Sequence, residues 1–197
     1  MAKSMNKHIS KAENINERKS SQRISTKTMA LIAVMTAVTC VLAPLSLPIG
    51  PVPISLTNLA IYFGLYILGM KKETVSYIVY LLIGFVGVLV FSGFSGGAGR
   101  LLGPTGGYLI GFIPMAIIAG LFIDKSDAKT VFSVIGMIIG TLVCYALGTA
   151  WFCIQADYKV MPALSLCVIP FLPGDAAKIA IAAFFGPRIR KALKRMD

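Results

Sequence analysis

Three stretches of this chain carry no charge at all: Thr74 to Phe91, Thr105 to Ile123 and Val131 to Gln155. Uncharged apolar runs of about 18 residues or more are long enough to cross the ~30 Å hydrocarbon core of a bilayer as helices. A soluble domain carries about 25% charged residues, whereas this 197-residue chain carries 14% and is 56% hydrophobic. Those values exclude a soluble enzyme, a nucleic-acid module and a disordered chain. They place the chain among integral membrane proteins.

Six spans are expected: Met29 to Pro44, Leu56 to Met70, Thr74 to Phe91, Thr105 to Ile123, Val131 to Gln155, and Pro170 to about Arg190. Charge orders them. With the N-terminus inside, sixteen Lys and Arg fall on inner segments: seven in residues 1–28, then Lys71, Lys72, Lys125, Lys129, Arg188, Arg190, Lys191, Lys194 and Arg195. Arg100 and Lys159 fall outside, and Lys178 lies within the last span. The positive-inside rule therefore favours an all-α bundle of six transmembrane helices with both termini cytoplasmic. A five-helix layout would put the basic C-terminus outside. Residues 1–28 are expected as a flexible basic tail, and 29–197 as one membrane domain. The apolar run after the tail shows no small-residue cleavage signature, so it is read as a first helix rather than a signal peptide.

The irregular chemistry gathers on the outer segments. Residues 45–55 are proline-rich, and the prolines stop the first helix and hold the chain extended. Ser92 to Pro104 is glycine-rich, and is expected to be mobile. A third outer segment runs from Ala156 to about Ile169. The one His, His8, leaves no room for a His-based metal or catalytic site in the membrane. Cys40, Cys144, Cys153 and Cys167 form no Cys-x-x-Cys pair and read as small hydrophobes.

Asp175 and Lys178 stand three apart on the last span and share a helix face. Charged side chains at a span centre cost roughly 2.5–3.5 kcal/mol each on insertion scales. Mutual neutralisation is one explanation. The other is a polar cavity presenting an acceptor and a donor to a solute. Arg100 is either a solvated outer Arg or a clamp on a carboxylate, which a guanidinium matches bidentately. Thr105, Gly106 and Gly107 open the fourth span. Its free N–H groups suit an anion, or its glycines allow close helix contact. Thr57 and Asn58 open the second span, as caps or as pocket lining. Tyr108 and Trp151 lie near outer helix ends, as interfacial belt residues or as walls that stack on a ring. Ala33 and Ala37 make a small-residue face on the first helix, which allows close helix packing, either internally or with a partner membrane protein. No nucleophile–base pair, metal cluster or phosphate loop is visible.

Three motifs then act together: Gly50-Pro51-Val52-Pro53-Ile54-Ser55, Gly103-Pro104-Thr105-Gly106-Gly107-Tyr108-Leu109-Ile110-Gly111-Phe112, and Pro170-Phe171-Leu172-Pro173-Gly174-Asp175-Ala176-Ala177-Lys178. In order and at these places, they resemble the BioY family, the biotin-specific S components of energy-coupling factor (ECF) transporters. The likeness covers about residues 29 to 190. One departure is Leu56-Thr57-Asn58, near which many members carry a Gln. The resemblance implies a non-enzymatic, multi-pass protein of the prokaryotic plasma membrane that captures biotin from outside with high affinity. It implies a transmembrane coupling subunit and two cytoplasmic ATPase subunits as partners, with Ala33 and Ala37 facing the coupling subunit. No cofactor, metal or nucleic acid is implied, and biotin is the transported ligand. Two rival readings are an S component for another water-soluble vitamin and a stand-alone proton-coupled carrier using Asp175. An intramembrane enzyme has the least support.

Overall fold

The computed structural model describes residues 25–47 and 52–195. Most of the expected tail, with His8, and the Gly50-Pro51 half of the first motif lie outside the described residues. Contacts divide the chain after Leu31. Of the first unit, Ser25–Leu31 is described, and it is helical from Thr26. The second unit is Ile32–Asp197.

In chain order the elements are α1 (Thr26–Leu42), a hairpin of β1 (Ser46–Leu47) and β2 (Ile54–Ser55), α2 (Thr57–Leu68), α3 (Met70–Phe85) and α4 (Ala98–Leu102). Then follow α5 (Gly106–Lys125), α6 (Thr130–Ala156), α7 (Val160–Cys167), a 3-10 turn (Ile169–Phe171) and α8 (Leu172–Leu193). The strands are antiparallel, with Ser46 opposite Ser55 and Leu47 opposite Ile54. Three helical stretches are long and apolar enough to cross a bilayer: Gly106–Lys125, Thr130–Ala156 and Val160–Leu193, while Thr26–Leu42 and Thr57–Leu68 are shorter apolar helices. The fold is all-α apart from the small hairpin.

Large apolar side chains line the outside, among them Val34, Leu142 and Ile154. In hydrocarbon an apolar face gains nothing by turning inward, so close packing and interhelical hydrogen bonds hold such a bundle. Both are present. The α5–α6 pairing is the most extensive in the molecule, and glycines permit it. A Cβ on Gly140 would stand 2.9 Å from the Met115 carbonyl oxygen, and one on Gly148 2.3 Å from the Tyr108 ring. Buried phenols tie helices together. The Tyr62 and Thr141 hydroxyls share a 2.7 Å bond, Tyr77 donates to the Leu109 carbonyl at 2.8 Å, and the Tyr108 and Thr149 hydroxyls lie 2.9 Å apart. Each bond of this kind is worth about 0.6 kcal/mol in a membrane.

One end of the bundle is strongly basic, and its charges are organised. Gly69 (φ +77°) turns the chain between α2 and α3. Asp124 accepts from the Met70 backbone N–H at 2.8 Å and from Arg190 at 2.8 Å. Lys194 pairs with Asp127.

Several expectations need correction. The glycine-rich outer segment, expected to be a mobile loop, contains α4 and a bridge between Phe91 and Ser95. The third outer segment carries α7. The span expected to end at Phe91 stops as a helix at Phe85, since Gly87 takes φ +117°. The last helix begins at Leu172, two residues after the expected start of the span at Pro170, with Pro173 in its first turn. The first helix starts at Thr26, inside the expected tail. The four cysteines, by contrast, are free thiols as expected.

Candidate substrate-binding site

At the end of the bundle opposite the basic cluster, β2, α2, α4, α5, α6 and α8 surround a hollow of about 680 Å³, its mouth included. Pockets for small ligands combine apolar walls with a few placed polar groups. Here the walls include Phe91, Tyr108, Phe112 and Phe171.

The polar groups converge on Asp175, in the first turn of α8, where the positive helix end favours a carboxylate. Asp175 Oδ1 accepts from Asn58 Nδ2 at 2.9 Å and from Lys178 Nζ at 3.0 Å, and Oδ2 accepts from the Tyr145 hydroxyl. Lys178 also donates to the Ser55 carbonyl at 2.6 Å. The two charged side chains are only 9% and 10% exposed. An ionised carboxylate offers about four acceptor positions and an ammonium three donors. Three and two of these are used, leaving one acceptor on Asp175 and one donor on Lys178. The pair is therefore neutral overall, yet retains one free valence of each kind beside an apolar hollow.

Arg100 and Thr105 also line the hollow, as do Asn58 and Tyr108. Among the described residues, the Arg100 guanidinium donates to no side chain or carbonyl. Thr57, Gly106, Gly107 and Trp151 do not line it. They build its frame instead. Thr57 is fully buried and bonds Ser55 Oγ at 2.8 Å. Trp151 Nε1 donates to the Gly103 carbonyl at 3.0 Å, and a Cβ on Gly107 would stand 2.2 Å from Trp151 Cβ. A Cβ on Gly106 would stand 1.7 Å from the Leu101 carbonyl oxygen. These two glycines let α4 and α6 approach the start of α5. Asn58 does not cap through a conventional N-cap bond: α2 has Leu56 at that position. Ala33 and Ala37 lie away from the hollow on the exposed face of α1.

Sequence reasoning missed Tyr145 and the Ser55 carbonyl. A signal for Tyr145 existed, since Thr141, Tyr145 and Thr149 recur every four residues on one face of a charge-free helix. The backbone carbonyl had none.

On the outer side of the same residues lies an apolar groove between α6 and α8, walled by Ile138, Leu142, Leu172 and Ile179. Thr141, Tyr145 and Asp175 belong to both spaces.

Residues 14–195 match the model of the BioY family. The chain belongs to the BioY family. Similar BioY proteins include the biotin transporter BioY of Thermotoga maritima, 36% identical over 80% of this chain and 92% of that protein. Biotin transporter BioY2 of Lactococcus lactis is 34% identical over 86% and 93%. Among solved structures, the S-component for biotin from an ECF-type ABC transporter matches with a TM-score of 0.77 at 31% identity, covering 85% of this chain and 95% of that one. The family and the apolar helices place this protein in the prokaryotic cell membrane as a multi-pass transport component.

Proposed function

We propose that this chain is the substrate-capture S component of an ECF-type vitamin transporter and that its ligand is biotin, bound from outside with high affinity. The observation that carries the reading is the neutral Asp175–Lys178 pair with one free acceptor and one free donor at an aromatic-walled hollow. Biotin brings a ureido ring with N–H donors and a carbonyl acceptor. Asp175 accepts from a ureido N–H and Lys178 donates to the carbonyl, with Asn58 and Tyr145 fixing the carboxylate. Tyr108 packs beside the bicyclic ring. The valerate carboxylate runs to Arg100, with Thr105 beside it. Thr57, Gly106, Gly107 and Trp151 hold that geometry.

The rest of the layout follows the same reading. Six helices span the membrane, with both termini and the basic end cytoplasmic. The residues before Thr26 are basic in sequence. The exposed small-residue face of Ala33 and Ala37 admits close approach of a transmembrane coupling subunit, which two cytoplasmic ATPase subunits drive. The chain itself catalyses no reaction and needs no cofactor.

Calorimetry of the detergent-purified protein tests this. Biotin should bind tightly, and thiamine, riboflavin and folate should not. Asp175→Asn should weaken biotin by orders of magnitude. Tight binding of another vitamin, or near-normal biotin affinity in that variant, overturns the assignment.

A further inference from the structure

The basic end holds a second, unrelated cleft. Between the end of α5 and the start of α6, Leu121, Phe122, Lys125, Ser126, Lys129 and Phe132 enclose an open groove of about 920 Å³. The connecting turn contains two acids and two lysines, yet its charges are not balanced locally. Asp124 is taken by Arg190 of α8 and Asp127 by Lys194, which follows the end of α8. The Lys125 and Lys129 side chains are exposed and donate to no acceptor among the described residues. Lys129 adds its charge to those that hold the Asp127 carboxyl down, yet both ammonium groups border the groove.

The wall below them is apolar and faces outward. Phe132 is 52% exposed and Leu121 38%. A Cβ on Gly136 would stand 2.4 Å from Phe122 Cβ, so that glycine seats Phe122 between the helices and shapes the groove. The positive end of α6 also lies there. No side chain caps it and its first turn contains no acid, which leaves the site cationic.

We infer that this groove binds one anionic glycerophospholipid: its phosphodiester sits between Lys125 and Lys129, and an acyl chain runs along Leu121, Phe122 and Phe132. Charge complementarity selects the headgroup. Position selects the source, because α5 and α6 are both long enough to span the bilayer and basic pockets between such helices bind anionic lipid headgroups. A lipid offers the groove both an anion and a chain, whereas a soluble phosphate offers only the anion. The inference does not depend on the ligand of the aromatic-walled hollow.

Native mass spectrometry of the full chain released from nanodiscs of mixed phosphatidylglycerol and phosphatidylcholine tests it. One phosphatidylglycerol should stay bound through mild delipidation. The double variant Lys125→Gln/Lys129→Gln should bind it about thirtyfold more weakly. Lys71→Gln/Lys72→Gln, which removes the same charge from the same end but outside the groove, should change it less than threefold. Phe132→Asn should weaken it with both lysines intact, and millimolar inorganic phosphate should not compete. Equal retention of the two lipids, or equal loss in the two lysine doubles, overturns the inference. Displacement by inorganic phosphate overturns the lipid assignment, as does binding that appears only with a partner subunit present.

Discussion

Removing the charges of Asp175 and Lys178 one at a time and then together separates what the pair does for the fold from what it does for a ligand. Each is almost fully buried, and each is the other's only ionic partner among the described residues. Asp175→Asn leaves an ammonium bonded to one carbonyl and an amide. Lys178→Met leaves a carboxylate with Asn58 and Tyr145 alone. Breaking a buried pair from one side costs about 3–5 kcal/mol. The double variant has no orphaned charge, and Asn at 175 still accepts from Tyr145. Its destabilisation should therefore fall at least about 2 kcal/mol short of the sum of the singles, within the coupling seen between touching residues. Ligand binding should not recover. Two charge-assisted hydrogen bonds to a ureido group, at about 1.5–3 kcal/mol each, correspond to roughly a hundredfold to ten-thousandfold in affinity. Thermal midpoints in detergent read the first quantity and biotin calorimetry the second. A double variant that binds within tenfold of the parent would refute the ligand role. Additive destabilisation would refute the pairing.

Other outcomes follow from the same geometry. Tyr145→Phe removes the hydroxyl that holds Asp175 Oδ2; biotin affinity should fall about tenfold, consistent with one lost bond to a charged group, and an unchanged isotherm would deny it a part. Arg100→Gln should weaken biotin but leave biotin amide, which lacks the carboxylate, nearly unaffected; equal losses for both ligands would remove Arg100 from that contact. Gly106→Ala sets a methyl against the Leu101 carbonyl, so α4 must shift and carry Arg100 with it. Both the thermal midpoint and biotin affinity should drop, and normal values for both would show that α4 yields freely. At the basic end, Lys194 holds the Asp127 carboxyl below its ordinary value, first by hydrogen bonding and then by charge. The folded value lies under the unfolded one, so the stabilisation is complete above about pH 4 and fades as the pH falls through the folded value. The midpoint difference between the parent and Asp127→Asn should vanish below that window and shrink in high salt; a difference that grows on acidification would contradict the pairing.

Much of this was legible in the residues because a membrane makes charge conspicuous. Asp175 and Lys178 could be singled out since nothing else in the last span is ionic until Arg188. The uncharged runs located α5 and α6, although the run to Phe91 overshot a helix that ends at Phe85. What the sequence hid was short-range geometry. Glycine-rich composition read as a loop where α4 forms, because its contacts with α5, not its propensity, stabilise so short a helix. Gly106 and Gly107 left two readings open, an anion site or close helix contact, and their missing side chains make room for Leu101 and Trp151. Tyr145 gave no ionic signal, and a phenol inside a span resembles any other core aromatic.

The groove outside Tyr145 and Asp175 has a consequence for where capture can be measured. A single layer of side chains separates the ligand hollow from the hydrocarbon between α6 and α8. Whatever solvates that groove, acyl chain or detergent tail, presses on the back of Thr141, Tyr145 and Asp175. The dissociation constant thus belongs to the protein together with its surrounding amphiphile, and values taken in short-chain detergent and in lipid should differ most for variants of that shared wall.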